Sequence, residues 1–494
     1  MLDLEIRRRS IDRMLRTATF DASTWSRRRR ATLLPVVAAV LAQIVMVVVV
    51  IGSPGAVAAQ RGDPLDIVLV ITDDQRAGTL THMPRLRRRI AARGVRFRSA
   101  FIPNPSCCPS RASFLTGTYS HTNGVWKNGG AFGGFAAFDP SSTIATWLDD
   151  AGYRTGLFGK YLNGYTDASI VPPGWDEWFG FMSGDGRSYY GFTASVNGEL
   201  VDFADDEYST TVTSAEVSRF IRSTPADRPL FVLWTPVAPH SPAVPEAAYV
   251  DASLGLEPWR PPNFNERDVS DKSSWLRRTG RLDASQRLAI DARRLDQYRT
   301  LLSVDDGIAD IVKSLRQSGR LSNTLIVFAS DNGVMWGEHR LIRKAAPFDG
   351  ASHVPMLVRY YPLTAQRRGG ASRSLVLNLD VAPTIAELVG LVPPTGVDGR
   401  SLVPLLDGSA VHVRKRFVVE HADGGVPAYC GARTRDELFV HYVGGDEEYY
   451  RRTDDPWNLV NAIDDPSNAQ RVRQLRTYTR DECRPLPPGF TWST

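Results

Sequence analysis

The segment "LDIVLVITDDQ" (Leu65–Gln75) joins a continuous apolar run, rich in β-branched residues, to two carboxylates that follow it directly. A short apolar run with polar boundaries is typical of a strand that is buried on both faces of a sheet. Three more runs of this kind follow, namely "YRTGLFG" (153–159), "RPLFVLWT" (228–235) and "NTLIVFAS" (323–330). Helical patterns separate them, and the longest spans residues 285–319. This alternation predicts an α/β fold in which helices sandwich a large, mostly parallel sheet.

The sequence pattern changes after about residue 410. Two strand-like runs, "RKRFVVEH" (414–421) and "DELFVHYV" (436–443), are followed by polar turns. They predict a smaller antiparallel sheet subdomain over residues 411–494, packed on a large domain over residues 63–410. Within the large domain, Pro and charged residues are concentrated in segment 256–278, which predicts a long surface loop.

The first 59 residues carry the net charge of the protein. They contain nine Arg, no Lys and four acidic residues, a balance of 9 − 4 = +5, which equals the net charge of the whole chain. The remainder is therefore neutral in total. Its composition indicates neither a nucleic-acid partner nor a groove for a polyanion.

The same 59 residues have the pattern of an export signal. Four arginines (27–30) precede an apolar run (31–51), and the small residues at 56–58 offer a site for signal cleavage. The apolar run is also long enough to span a bilayer, so a retained membrane anchor is the alternative. Both alternatives predict an exported protein, whether secreted, periplasmic or at the cell surface, in a compartment where disulfides form.

Each of the four predicted strands ends next to side chains that can take part in chemistry. Ligands bind beyond the carboxyl ends of the strands in open α/β sheets. One such residue alone is commonly a turn former or a helix cap, but recurrence after four strands favours a functional site at that edge. The residues are Asp73, Asp74, Lys160, His240, Asp331 and Asn332.

The oxygen atoms in this set predict a hard metal ion. Carboxylate and amide ligands suit Ca²⁺ or Mg²⁺ rather than zinc. A buried pair of carboxylates without a counter-charge would be costly, which favours a metal site over two ordinary turns. The predicted ligands are Asp73, Asp74, Asp331 and Asn332. Lys160 and His240 would then face a bound oxyanion, and Lys344 offers a second ammonium group.

The segment "NPSCCPSRASFLTG" (104–117) holds two of the four cysteines of the chain. Pro109 suits the first turn of a helix that ends at a glycine, which places Cys107 at the helix N-terminus and Arg111 about one turn on. A thiolate of low pKa is one interpretation. A thiolate is a soft ligand, however, and an oxygen nucleophile would fit a hard-metal site better.

The stretch "CCPSRASFLTG" resembles the signature of the type I sulfatases, Cys-x-Pro-Ser-Arg followed by Leu-Thr-Gly. Only Cys107, and not Cys108, has Pro two places on and Arg four places on. The segments "ITDDQ", "AGYRTGLFGKYLNGY", "APHSP", "SDNG" and "DGRSLVPLL" resemble further blocks in the family's order, from about Asp63 to Asn461. "GKYLN" and "TPVAPHSP" are most similar to the N-acetylglucosamine-6-sulfatase branch and to arylsulfatase-like members.

The resemblance implies an alkaline-phosphatase-like fold and a modified nucleophile. Cys107 would be converted to Cα-formylglycine by a formylglycine-generating enzyme, and the hydrate of this aldehyde would supply the attacking oxygen. The metal would be Ca²⁺, with Mg²⁺ as the weaker alternative. Its ligands would be Asp73, Asp74, Asp331, Asn332 and the modified Cys107.

The resemblance also assigns roles to the remaining site residues. Arg111 would stabilise the hydrate, and Asp331 would take the proton from the attacking hydroxyl. Lys160, His240 and Lys344 would bind the sulfate group, with His240 or Lys344 protonating the leaving alcohol. Many family members have His two places after the active-site Lys, whereas this chain has Leu162. Which group assists sulfate release at that position is therefore open.

These features predict a sulfuric ester hydrolase for a sulfated small molecule or glycan, such as an aryl sulfate or an N-acetylglucosamine-6-sulfate. Because the body of the chain is neutral, a long sulfated polymer is not favoured over a monosaccharide or an aryl ester. One alternative is a phosphonate or phosphate ester hydrolase of the same superfamily. The other is a non-catalytic protein that binds sulfated glycans.

Two cysteines remain after the pair at 107 and 108 is set aside. Cys430 and Cys483 both lie in the predicted C-terminal subdomain of an exported protein. Leftover cysteines in an oxidising compartment commonly pair, so we expect a disulfide between them. The alternative is two separate buried thiols.

Overall fold

Strand β1 (Asp66–Thr72) lies inside a ten-stranded sheet. The computed structural model describes residues 65–184, 189–422 and 425–492, and the predicted export segment lies outside these ranges. The other strands of this sheet are β2 (Val95–Phe101), β3 (Arg154–Gly159), β4 (Glu177–Phe181), β5 (Thr193–Val196), β6 (Glu199–Asp202), β7 (Leu230–Thr235), β8 (Thr324–Ser330), β9 (Met356–Arg359) and β10 (Gly370–Leu377).

The strands of this sheet run in the order β10-β2-β9-β8-β1-β7-β3-β4-β5-β6. The central pairs β8–β1, β1–β7, β7–β3 and β3–β4 are parallel, as is the edge pair β2–β10. The pairs that β9 forms with β2 and β8, and those that β5 forms with β4 and β6, are antiparallel. The prediction of a large, mostly parallel sheet is confirmed.

The interior of strand β1, residues 67–71, is entirely apolar because both faces of the strand are covered. Ile67, Leu69 and Ile71 belong to one hydrophobic cluster, whereas Val68 and Val70 belong to another. Successive side chains of a strand point to opposite faces, so the two clusters lie on the two sides of the sheet. Burial on both faces explains the continuous apolar run.

Helices cover the sheet and connect its strands. Those of six residues or more are α1 (Pro84–Arg89), α2 (Cys107–Thr116), α3 (Ile144–Asp150), α4 (Ser209–Ser223), α5 (Ala284–Gln317), α6 (Val381–Val389) and α7 (Ala469–Glu482). One-turn helices lie at Ser120–Asn123, Gly134–Ala137, Ser274–Arg277, Asp349–Ser352, Tyr361–Thr364 and Val403–Leu406. None of the helices in the described part of the chain combines the length and the apolar character needed to cross a bilayer.

A second, four-stranded antiparallel sheet follows the first. Its strands, in spatial and chain order, are β11 (Arg416–His421), β12 (Tyr429–Thr434), β13 (Glu437–Tyr442) and β14 (Glu447–Arg451). The smaller antiparallel sheet is therefore confirmed. Leu377 of the large sheet shares a hydrophobic cluster with Phe417 and Val419 of the small one, so the two sheets are held together by apolar contact.

The prediction of a surface loop over residues 256–278 is wrong for its second half. Val269, Lys272, Trp275 and Leu276 are buried. The ammonium group of Lys272 donates to the carbonyl oxygen of residue 459 at 2.6 Å and lies 3.0 Å from a carboxylate oxygen of residue 271. This part of the segment is rich in charge, but its polar groups have partners inside the protein. It can therefore pack against the small sheet instead of being solvated.

The predicted disulfide is present. Cys430 of β12 and Cys483, the residue after α7, are bonded with a Cα–Cα distance of 6.2 Å. The bond closes a loop with a sequence separation of 53 and ties the last helix to the small sheet. In the chain-entropy description a loop of this length contributes about 4 kcal/mol of stability.

We expect the double substitution Cys430→Ala/Cys483→Ala to lower the free energy of unfolding by about 2–4 kcal/mol, because the unfolded chain regains the freedom of that loop. Urea denaturation followed by fluorescence measures the change. Wild-type protein in reductant is the matched control, since it loses the same cross-link without a mutation. Equal unfolding midpoints for wild type and double variant in oxidising buffer would contradict a stabilising role.

Candidate active site

The carboxylates after β1 and β8 are brought together by strand register. Thr72 and Ser330 are paired partners in the parallel β1–β8 ladder. Asp73 and Asp331 follow them directly, and both side chains have no exposed surface. Two buried carboxylates therefore lie next to each other at the carboxyl edge of the sheet, where burial makes a nearby positive charge necessary.

Lys160 is placed at the same edge by the pairing of β3 with β7. Gly159 pairs with Thr235, and the N–H of Lys160 donates to the Thr235 carbonyl oxygen at 2.9 Å. Gly159 has φ 120°, and a Cβ there would lie 2.2 Å from that same carbonyl oxygen. Only glycine fits this turn, so the residue before Lys160 is dictated by the close approach of the two strands.

His240 reaches the site from the loop after β7. The N–H of Asp73 donates to the carbonyl oxygen of Ala238 at 3.2 Å, which fastens this loop to the end of β1. The Nδ1 of His240 lies 2.6 Å from the carbonyl oxygen of Ser241, so Nδ1 carries a proton and donates. Its Nε2 lies 3.8 Å from Asp74 Oδ2 and faces the site.

Asp74 and Asn332 contact each other at the same edge of the sheet. Asp74 has φ 66°, and its N–H donates to Asp331 Oδ1 at 3.1 Å. The Nδ2 of Asn332 donates to Asp74 Oδ1 at 2.5 Å, whereas the buried Oδ1 of Asn332 has no hydrogen-bond partner. A buried acceptor without a donor is costly, and a bound cation would satisfy it.

Cys107 lies at the start of α2, next to these carboxylates. The helix begins at Cys107 and ends before Gly117, which has φ 73°. The Sγ of Cys107 accepts from Lys344 Nζ at 2.8 Å and lies 3.5 Å from Asp73 Oδ1. Burial, and next the carboxylate of Asp73, raise the pKa of the Cys107 thiol. The interpretation as a low-pKa thiolate is therefore not supported, because the unmodified thiol stays protonated and is a weak nucleophile.

Arg111 links α2 to the two strand ends. Its Nε donates to Asp331 Oδ2 at 2.9 Å, and its Nη1 donates to the carbonyl oxygen of Lys160 at 2.6 Å. Its side chain is 3% exposed, and its Nη2 has no hydrogen-bond partner, although Asp73 Oδ2 is 3.5 Å away. A fixed guanidinium with one unused donor is suited to hold an oxygen atom of a ligand.

The charges around Asp73 decide its protonation state. Lys160 Nζ is 2.5 Å from Asp73 Oδ2. Although burial alone would raise the pKa of Asp73, the charges of Lys160, His240 and Arg111 lower that pKa well below its usual value. Conversely, burial alone would lower the pKa of Lys160, but the carboxylate of Asp73 raises it. Both groups are therefore ionised in the neutral pH range.

Lys344 enters the site on a loop that is held by the segment before α2 and by the small sheet. Its Nζ is 2.6 Å from Asp74 Oδ1. The next residue, Ala345, donates its N–H to the carbonyl oxygen of Pro105 at 3.0 Å and accepts from the hydroxyl of Tyr429 at 2.9 Å. Because Tyr429 belongs to β12, the small sheet takes part in positioning Lys344.

The site has the donor set for a divalent cation. Ligand atoms of Asp73, Asp74, Cys107 and His240 all lie within 4.8 Å of one another, and no other group of His, Cys, Asp and Glu in the described ranges has this arrangement. Asp331 lies beside this group, with Oδ1 accepting from N–H groups and Oδ2 from Arg111. His240, predicted as a proton donor, thus also lies within reach of a cation.

The balance of charges points to an anionic ligand. The site contains three carboxylates, on Asp73, Asp74 and Asp331, and three cationic side chains, on Arg111, Lys160 and Lys344. With all of them ionised the sum is 3 − 3 = 0, and a divalent cation would bring it to +2. With such a cation bound, the positive surplus would favour an anionic ligand.

The position two places after Lys160, where many family members carry histidine, is occupied by a core residue. Leu162 is 1% exposed and belongs to the hydrophobic cluster beneath the sheet, so its side chain has no access to the site. Its neighbour Asn163 donates its N–H to Cys108 Sγ at 3.1 Å, and the N–H of Cys108 donates to Asn128 Oδ1 at 2.9 Å. Sequence reasoning missed Asn128 and Tyr429, because neither follows a strand and no local pattern marks them.

Comparison with known proteins identifies the family. Residues 66–391 match the family described as Sulfatase, and residues 337–483 match the one described as N-sulphoglucosamine sulphohydrolase, C-terminal. Human N-acetylglucosamine-6-sulfatase is 33% identical over 382 residues, which are 73% of this chain and 68% of that protein. The extracellular sulfatase SULF-1 homolog of Drosophila melanogaster is 34% identical over 353 residues, 69% of this chain but only 31% of that protein.

Solved structures share the fold. One is of a protein in complex with its substrate, D-glucosamine-2-N,6-O-disulfate. It has a TM-score of 0.74 and 22% sequence identity, and it covers 85% of this chain and 97% of that one. At this identity the likeness concerns the fold alone, which is the alkaline-phosphatase-like arrangement that the sequence resemblance implies. The sequence match over most of the large sheet, together with relatives above 30% identity, shows that this chain belongs to the sulfatase family.

Proposed function

We propose that the protein hydrolyses sulfate monoesters, with Cys107 modified to formylglycine and Ca²⁺ bound at the carboxyl edge of the sheet. The observation that carries this proposal is the position of Cys107. It lies at the start of a buried helix, within 3.5 Å of Asp73 and 2.8 Å of Lys344, yet burial and Asp73 raise the pKa of its thiol. As a thiol, Cys107 is a weak nucleophile. Its conversion to an oxygen nucleophile would explain why it occupies this position.

The metal would be held by oxygen atoms of the strand ends. Asp73, Asp74, Asp331 and Asn332 supply them, and the unpartnered Oδ1 of Asn332 supports this set. A bound Ca²⁺ would supply electrostatic stabilisation of anionic oxygens. A formylglycine hydrate would supply two hydroxyl groups on one carbon, and one of them would attack sulfur. Loss of the proton from the other would then break the bond between that carbon and the sulfate oxygen, so that sulfate leaves and the aldehyde is restored.

The remaining groups bind and orient the ester. The unused Nη2 of Arg111 would hold the hydrate, and Asp331, bonded to Arg111 Nε, would accept the proton of the attacking hydroxyl. Lys160 lies against Asp73 and Lys344 against Asp74, where the two ammonium groups would neutralise the sulfuryl oxygens. As the sulfur–oxygen bond breaks, the leaving alkoxide needs a proton, and His240 Nε2 faces the site to give it.

We infer that the substrate is a sulfated small molecule or glycan and that the protein works outside the cytoplasm. The relatives named N-acetylglucosamine-6-sulfatase and extracellular sulfatase support both statements. The disulfide between Cys430 and Cys483 is in keeping with an oxidising compartment. Maturation would require a formylglycine-generating enzyme as a partner.

The proposal is tested by turnover of matched esters. The full chain, produced together with a formylglycine-generating enzyme, is assayed on 4-nitrophenyl sulfate, N-acetylglucosamine-6-sulfate, 4-nitrophenyl phosphate and a phenylphosphonate monoester. We expect kcat/KM for a sulfate ester to exceed that for either phosphorus ester by about 100-fold or more, a difference of about 2.7 kcal/mol in barrier. A preference for the phosphonate, or binding of sulfated sugar without turnover, would support the corresponding alternative instead.

We expect His240→Gln to slow hydrolysis more for esters whose departing oxygen is more basic. A proton from His240 matters most when the departing oxygen is strongly basic, and general acid catalysis contributes about 10²–10⁴-fold. The kcat for a sugar sulfate should therefore fall by about that amount, and the kcat for 4-nitrophenyl sulfate by much less. An equal fall on both esters would show that His240 does not protonate the leaving oxygen.

A further inference from the structure

Residues 60–494 carry no net charge in total, but one part of their surface is strongly basic. Residues 75–138 contain ten Lys and Arg and no Asp or Glu, and residues 350–379 contain four Arg and no Asp or Glu. Helix α1 and strand β2 come from the first stretch, and β9 and the start of β10 from the second. In the sheet β2 lies between β9 and β10, so the two acid-free stretches meet on one part of the surface.

The arginines of this surface line a groove. A cavity of about 600 Å³ is lined by Arg87, Arg88, Arg96 and Arg98, together with residues 369–371 at the start of β10. An adjoining cavity of about 440 Å³ shares Arg87, Arg96 and Arg98 and extends to residues 77–78 and 353–356. We call the two cavities together the arginine groove. It follows β2 from the start of the strand towards the loop that comes after Asp74.

These arginines have no carboxylate partners among the described residues. Arg85, on the same helix, forms an ion pair with Asp306 at 2.9 Å, but Arg87, Arg88, Arg96 and Arg98 form none. All four are exposed. Arg96 and Arg98 are two residues apart on β2 and therefore project from the same face of the sheet. Nearby, burial and the charge of Arg93 lower the pKa of Arg359, a sign that like charges crowd this region.

We propose that the arginine groove binds a linear sulfated polysaccharide at a site separate from the catalytic edge. Guanidinium groups match the geometry of sulfate and carboxylate groups, and a row of them in a concave groove suits a chain with regularly spaced anions. A flat bilayer surface fits a groove less well, and exposed large apolar residues are absent from the described residues lining it. This proposal departs from the expectation based on composition, which gave no indication of a groove for a polyanion.

The test measures binding without turnover. Full-length protein with Cys107→Ala is titrated with a size-defined heparin oligosaccharide at several salt concentrations, and the triple variant Arg88→Gln/Arg96→Gln/Arg98→Gln is compared with it. Loss of three contacts should weaken binding about tenfold or more near physiological salt and should lower the slope of log Kd against log salt by about 2. The nine arginines of residues 1–59 are present in both proteins and cancel in the comparison.

A matched control carries three exposed arginines from other surfaces, Arg281→Gln/Arg293→Gln/Arg473→Gln. It should bind within about twofold of the parent. A second variant, Arg87→Gln/Arg88→Gln, changes only helix α1. Weaker heparin binding by this variant could not be explained by misfolding of β2. In the active background, all variants should hydrolyse 4-nitrophenyl sulfate normally, which separates this proposal from the catalytic one.

Two results would overturn the proposal. One is equal affinity of the groove variants and the control variant for heparin. The other is groove-dependent binding to vesicles of phosphatidylserine and phosphatidylcholine with no groove-dependent binding to heparin, which would assign the surface to membranes.

Discussion

Cys107→Ala is expected to abolish sulfate ester hydrolysis, with a fall in kcat of at least about 10⁴-fold, whereas Cys108→Ala keeps kcat within about tenfold of wild type. The two cysteines are neighbours in sequence, and both are buried at the start of α2. Only the first contacts the charged site, through Lys344 and Asp73. The second accepts an N–H from Asn163, which is a structural contact.

The comparison is made by steady-state kinetics on 4-nitrophenyl sulfate with both variants produced alongside a formylglycine-generating enzyme. Circular dichroism and thermal melting show whether each variant is folded. Two results would contradict the proposal that residue 107 supplies the nucleophile. One is retained activity in Cys107→Ala, and the other is an equal loss of activity in a folded Cys108→Ala variant.

Removal of divalent cations is expected to lower kcat by at least about 10³-fold, because without the cation the carboxylates of Asp73 and Asp74 hold Lys160 and Lys344, the lysines that should bind the ester. Ca²⁺ should restore activity, and Mg²⁺ should do so less well. Zinc should fail, since the proposed ligands are all oxygen atoms. Activity is followed after treatment with a chelator and dialysis.

Stability provides a second measurement of the same site. A cation that binds only the folded protein adds about 4 kcal/mol of stability at a thousandfold excess over its Kd, so the Tm should rise on addition of Ca²⁺. Asn332→Ala, which removes the unpartnered acceptor, should lose most of this rise. Asn263→Ala is the matched control, because Asn263 is also buried with an unpartnered Oδ1 but lies outside the site. A Tm that Ca²⁺ leaves unchanged in wild type would contradict a specific site.

The central sheet was predictable from the sequence because its strands are buried on both faces. β1, β3, β7 and β8 are short apolar runs with clear boundaries, and the residues that follow them are local in sequence. Once the strands are parallel neighbours, their ends must meet, which brings Asp73 and Asp331 together. The other strands are short or alternate with exposed residues, and their pairing depends on tertiary contacts.

Other features depend on contacts that no local pattern reveals. Lys344 is positioned through Ala345, whose carbonyl oxygen accepts from Tyr429, 84 residues further along the chain. Lys272 looks like a solvated loop residue in the sequence, but it is buried with a carbonyl and two carboxylates as partners. The basic surface could not be predicted from the total charge, which is a sum over the whole chain. The fold brings together arginines from two stretches that are distant in sequence.

The mass of the proteolytic peptide that contains residue 107 shows whether this residue is a formylglycine in the active protein. In active enzyme we expect this peptide to have the mass that results when the CH₂–SH group of Cys107 is replaced by an aldehyde or its hydrate, with Cys108 intact. The modified fraction should rise in proportion to specific activity across preparations. Fully active enzyme in which Cys107 is quantitatively alkylated as a free thiol would contradict the account.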